Sequence, residues 1–245
     1  MPLKVVTITG ADDSTDIEDL VSLSREFPFV EWGILVSQTA EGRYRFPSRK
    51  WIDQLVRRVR ELREPLKLST HVCGRWVRRL MVGELDWLEL PMIIDITDRI
   101  QINTHAEQHA STTGLITSLT DAKSISTKEE NLEFIFQWDG VNNHLTYAAL
   151  AYGFKVSALF DTSGGAGQLP SSWPMPAREF PCGYAGGLGP DNVEDQLRII
   201  EQRCIDRDFW IDMERRVRSE DDSRLDLDKV RRVLEESKPH IINAD

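Results

Sequence analysis

Cysteine is scarce in these 245 residues, and the three present, Cys73, Cys182 and Cys204, show no paired spacing. That excludes a disulfide-stapled secreted domain and points to reduced thiols in a cytoplasmic protein. Long apolar runs are missing as well. None approaches the ~20 residues needed to span a bilayer, so no membrane partner is expected. The opening MPLKVVTITG has neither a signal-peptide apolar core nor a small-residue cleavage site, and it reads as a first strand. There is no basic excess either: the formal net charge is −10, which argues against a nucleic-acid partner. A local arginine cluster can still hold a small anionic metabolite within an acidic molecule. Pro-rich linkers, charge blocks and short-period repeats are absent, so residues 1–245 read as one domain.

What is present is an alternation of short apolar runs with longer amphipathic ones. Strands are expected at residues 5–9, 30–37, 66–72, 99–104, 133–138, 155–160, 182–185 and 209–213. The first of these is β-branched and stops at Gly10, a strand signal. Helices are expected between them, at residues 48–62, 75–82, 143–152, 192–204 and 227–236, and at 14–27, where Ser14 or Asp16 serves as the cap. Another is expected after Ser111. In the helix at 48–62 the apolar residues Trp51, Ile52, Leu55, Val56 and Val59 recur at helical spacing, and arginines fill the other face. Roughly eight β–α units in 245 residues match a (β/α)8 TIM barrel, an α/β fold of about 250 residues. The alternative is a doubly wound open sheet. Trp51, Trp76 and Trp210 are expected to pack between helices and barrel. Homodimers are common for such barrels, but nothing in the sequence specifies one.

Chemistry in such a barrel sits at the carboxyl ends of the strands. The ends supply Thr9 and Asp12, Ser37 and Gln38, His71 and Cys73, Asn103 and His105, Gln137 and Asp139, Asp161, Gly186 and Gly187, then Asp212 and Glu214. Lys67 and Lys155 stand at strand starts, which disfavours a Schiff-base lysine facing the pocket.

The segment YAGGLGPDNV, residues 184–193, resembles the phosphate-binding unit of phosphoribosylanthranilate isomerases. Asp161 followed by a Gly-Gly-Ala-Gly loop and Trp173 is similar to the strand-six end of that family. GRYRFPS, residues 42–48, resembles its Arg-Tyr loop, and IQINTHAE, residues 100–107, places His105 where the family often has histidine. The resemblance implies a (β/α)8 barrel running an Amadori rearrangement without a cofactor. It further implies Asp161 as the general acid, Gly186 and Gly187 as a backbone phosphate cradle, and Arg43 as the holder of a substrate carboxylate.

Two departures fall at the reaction centre. The family's base is a cysteine in a Cys-Gly pair on strand one, where this sequence has Thr9 and Gly10. Its strand eight ends in a small Ser-Gly pair, where Arg215 and Arg216 stand here. These arginines either replace the cradle or fill the site. Candidate bases are then His71, on its intrinsic pKa, and Cys73, if Arg75 and a helix N-terminus lower its pKa. The expected function is an acid–base isomerase or related enzyme on a small phosphorylated or carboxylated sugar-type metabolite. Thr9, Asn103, His105, Asp139 and Arg215 join the substrate contacts. Two alternatives stay open. One is a catalytically altered barrel that binds a metabolite or partner. The other is a divalent-metal hydrolase or isomerase built on His71, His105, Asp139, Asp161 and Glu214.

Overall fold

Strands such as residues 30–36 and 68–72 are buried along their whole length, on both faces, which is the signature of a parallel sheet covered by helices. A computed structural model describes residues 3–64, 66–90, 92–104, 111–128, 130–138, 140–161, 163 and 166–241. The strands β1 (Leu3–Thr9), β2 (Val30–Val36), β3 (Leu68–Val72), β4 (Arg99–Ile102), β5 (Glu133–Trp138), β6 (Lys155–Phe160), β7 (Cys182–Ala185) and β8 (Phe209–Met213) pair in that order. All neighbours are parallel, and β8 returns to β1 to close the barrel. The open-sheet alternative is thereby excluded.

The helices are α1 (Ile17–Glu26), α2 (Arg49–Glu61), α3 (Arg75–Val82), α4 (Thr112–Ile125), α5 (Asn143–Ala151), α6 (Val193–Arg203) and α7 (Leu227–Ser237). Local chemistry sets where they start. Asp16, not Ser14, caps α1 by accepting from the Glu18 backbone N–H, and Ser48 caps α2 by accepting from that of Trp51. Asp226 does the same for α7. The irregular stretch before β4 forms two 3-10 turns, Trp87–Glu89 and Met92–Asp95. Among the described residues, β6 and β7 are joined without a helix, and none of the helices is long and apolar enough to cross a membrane.

Side-chain alternation divides the strands between two compartments. Val6, Ile8, Trp32, Ile34, Leu68, Ile100, Phe134, Phe136 and Ile211 point outward into the main core beneath the helices, where Trp51 and Trp76 also pack. The inward positions follow one register across six strands: Thr9, Gly33, Ser69, Arg99, Glu133 and Lys155 are successive partners. A parallel row adds His71, Gln101, Ile135 and Ser157. Where many barrels stack branched aliphatic layers, this one carries polar and charged groups. Its apolar interior is a small cluster of Ile135, Leu159, Ala185 and Trp210.

Trp210 corrects the expectation from sequence. It lies inside the barrel, with the Arg99 guanidinium carbon 4.6 Å from its ring centroid. Gly183 makes the room, because a Cβ there would stand 2.1 Å from the indole. Arg99 in turn bonds Glu31, its Nε lying 2.8 Å from Oε2, and Glu31 accepts from the Thr7 hydroxyl. Desolvation of this ion pair is thus offset by several hydrogen bonds.

Candidate functional site

The carboxyl ends of β3 to β8 surround one pocket. Asp161, Asp212, His71 and Asn103 line it from the strands and their ends; Gly186, Gly187, Arg215 and Arg216 line it from the loops. Strand alternation explains the convergence, since residues two apart on a strand face the same way and the last of them reaches the mouth. The starts of the strands open on the opposite mouth, where Lys67 and Lys155 lie, so neither lysine reaches this pocket.

Asp212 is the pocket's most perturbed acid. It is buried, and its Oδ1 accepts from the Thr9 hydroxyl at 2.9 Å. Burial pushes its carboxyl up to about 7, against partial compensation from the Thr9 bond. Repulsion from Glu214, Glu31 and Asp161 works in the same direction as burial. Thr9 therefore serves as the support of a carboxyl group at the position where the resembled family has its cysteine base. Asp161 is also buried and accepts from the Ser163 hydroxyl at 2.7 Å, the Ser163 backbone N–H at 3.1 Å and Gln137 Nε2 at 3.1 Å.

His71 lines the pocket, Cys73 does not but bonds the lining residue Asn103, and neither has a protonation state that suits a base. Burial holds the His71 imidazole down to about 3, and the Arg99 charge adds to the effect. Burial pushes the Cys73 thiol up to about 12, outweighing the Asn103 hydrogen bond. The condition for a Cys73 thiolate, a pKa lowered by Arg75 and a helix N-terminus, is not met: Cys73 is a thiol that accepts from Asn103 Nδ2 at 3.1 Å. Asn103 Oδ1 accepts from Gln101 Nε2.

Gly186 and Gly187 both have positive φ, 112° and 65°. Loop residues 168–169 press on them: a Cβ on Gly186 would stand 2.8 Å from the Gln168 carbonyl, and one on Gly187 2.5 Å from the Leu169 nitrogen. Only glycine tolerates both demands. Arg215 and Arg216 begin a 3-10 turn after β8 and are exposed. Their side chains run along Gly167 and Gly189 respectively. Neither makes an ion pair among the described residues, so two cationic groups stand available at the rim.

Arg43 is exposed and does not line the pocket. Arg45, two residues on and at φ 75°, reaches inward instead, its Nη1 lying 2.6 Å from Glu214 Oε1. Its backbone N–H donates to Asp12. Burial opposes the Asp12 charge, but hydrogen bonds from Ser14, Arg45 and Arg218 win and hold this carboxyl below its usual range. His105, Asp139 and the Gly164–Gly165 pair lie outside the described residues. Among those described, no three His, Cys, Asp or Glu side chains gather into a metal-holding group.

Asp212 as the perturbed acid and Gln101 line the pocket without a role assigned from sequence, and Arg45 stands beside it, bonded to the lining residue Glu214. Asp212 was readable as a strand end, and the alternation of Trp210, Asp212 and Glu214 marks the inward face. Nothing local marks Gln101, which lies mid-strand.

No family model matches the sequence, and no curated protein matches it. Solved structures do. KGPDC from Streptococcus mutans is 10% identical, with a TM-score of 0.54 over 98% of this chain and 99% of that one. A ligand complex of the same protein is 11% identical, with a TM-score of 0.51 over 97% and 99%. At this identity the likeness is one of fold, and it agrees with the closed parallel barrel.

Proposed function

We propose that this barrel is an acid–base enzyme that transfers a proton on a small anionic sugar-type metabolite, phosphorylated or carboxylated, as in an aldose–ketose isomerisation. The observation that carries the reading is the pairing of two buried carboxyl groups, Asp212 and Asp161, in one pocket beneath two rim arginines. A base whose pKa lies near the working pH takes a carbon-bound proton most effectively, and Asp212 lies there. In its ionised form it removes the proton from the carbon beside the carbonyl, leaving an enediolate. Moving the proton of the second carbon's hydroxyl to the former carbonyl oxygen, and returning the abstracted proton to the neighbouring carbon, completes the isomerisation with no net gain or loss of electrons. Asp161 serves the oxygen end, as the resemblance to phosphoribosylanthranilate isomerases implies. Arg215, Arg216 and the backbone of Gly186 and Gly187 bind the anionic group.

Aldopentose phosphates are the first compounds to test, with aldohexose phosphates beside them. In D2O, proton NMR follows exchange of the C2 hydrogen. Exchange is expected with the wild-type chain, rising with pH through about 7 as Asp212 ionises. It should fall by a factor of about 10²–10⁴ in Asp212→Asn. Wild-type rates in Asp212→Asn, or no exchange in any aldose phosphate, would sink the proposal.

A further inference from the structure

We infer that His71 is a neutral hydrogen-bond donor to an oxygen of the bound ligand, its tautomer dictated by a one-way relay through Cys73, Asn103 and Gln101. The chemistry it serves rests on the proton-transfer reading above; the tautomer itself does not.

The relay can be followed hydrogen by hydrogen. The Cys73 thiol points at the His71 carbonyl oxygen, 3.5 Å away, so its sulfur lone pairs receive the Asn103 amide N–H. That turns Asn103 Oδ1 toward Gln101, whose Nε2 donates to it at 2.9 Å. The same Gln101 Nε2 lies 3.3 Å from His71 Nδ1. An amide NH2 can only donate, so Nδ1 must be the accepting, unprotonated nitrogen. A neutral imidazole then carries its single proton on Nε2.

That Nε2–H is buried and has no partner among the described residues, although His71 lines the pocket together with Asp212. A buried donor left unmade is destabilising, and an acceptor atom of a ligand would relieve it. Burial and the Arg99 charge keep the ring from protonating, so it stays a donor of fixed charge. Its Nδ1 lone pair is already engaged, which closes the base role. The acceptor it suits is the carbonyl oxygen on the carbon next to the one that Asp212 deprotonates. That oxygen gains negative charge in the enediolate, so the bond strengthens as the reaction proceeds. The proton remains on Nε2 throughout.

Long-range proton–nitrogen correlation NMR on the ligand-free chain reads the tautomer directly. His71 is expected as Nε2–H with no titration between pH 5 and 8. An Nδ1–H tautomer, or a protonation midpoint inside that range, overturns the inference. Gln101→Glu puts an acceptor opposite Nδ1 and should switch the ring to Nδ1–H. In the exchange assay, His71→Gln retains an N–H donor and is expected to stay within about tenfold of wild type. His71→Phe should lose about 10²–10³ in kcat with a smaller change in KM. If His71→Phe matches wild type while Asp212→Asn is inactive, the donor role fails and the proton-transfer reading stands. If wild type exchanges nothing, that reading fails, and the tautomer measurement still decides the relay.

Discussion

Asp212 and His71 are two buried ionisable residues whose surroundings suppress their charge, and they act on stability in opposite directions. The Asp212 carboxyl sits at about 7 in the folded chain against a usual 3.8, so the folded state holds its proton more tightly than the unfolded one. Its stabilising contribution is full below pH 4 and is lost as pH rises to 7, a span worth about 4 kcal/mol. His71 is the reverse: held at about 3 against a usual 6.5, it favours the folded state above pH 6.5, and that contribution is lost as pH falls toward 3. Between pH 4 and 6.5 the two slopes oppose each other in the wild-type chain. Asp212→Asn keeps the size and hydrogen bonding of the neutral acid but cannot ionise. Its Tm is expected to match wild type near pH 4 and to exceed it by several degrees at pH 8, as scanning calorimetry at the two values would read. Equal Tm values at pH 8 would mean that Asp212 ionises without penalty. The sequence alone could name Asp212 as a strand end. It could not supply the burial, the Thr9 hydroxyl and the neighbouring carboxylates that shift its proton affinity.

At the scale of elements, close approach rather than propensity decides two glycines. The C-terminus of α3 meets the first turn of α4 at Gly83 and Gly114, where a Cβ on Gly114 would lie 2.4 Å from the Val82 carbonyl carbon. Gly83, at φ 79°, ends α3 in the left-handed conformation. Alanine is the better helix former by about 1 kcal/mol, yet Gly114→Ala forces two helix backbones apart. The clash is expected to dominate, costing a net loss of about 1–3 kcal/mol in urea denaturation followed by tryptophan fluorescence. A variant as stable as wild type would show that α3 and α4 separate freely. Elements with a strong pattern, such as α2 with its five buried apolar residues, were legible from spacing alone. The two 3-10 turns before β4 were not, because neither carries a repeating apolar period.

Across the whole molecule, Arg218 ties the last βα loop to the first. Its side chain is fully buried. The guanidinium donates to the Gly10 carbonyl, to Asp12 at 2.9 Å and to Asp222 at 2.6 Å. Arg45 adds the second loop through Glu214 and Asp12. Barrel closure between β1 and β8 therefore continues into the loops that frame the pocket. Arg218→Ala leaves the buried Asp12 without its cation, and about 3–5 kcal/mol of stability is expected to go with it. Chemical denaturation measures this, and a loss under about 1 kcal/mol would mean that the loops hold without the arginine. The sequence by itself determined the (β/α)8 alternation and the strand ends facing the site. Those depend on apolar period and turn residues, which act within a few positions of one another. Only the tertiary structure decided that Arg45 rather than Arg43 turns inward, that Trp210 fills the barrel, and that Thr9 supports Asp212 from 203 positions away. Register around a closed barrel brings such residues together, and no local spacing encodes it.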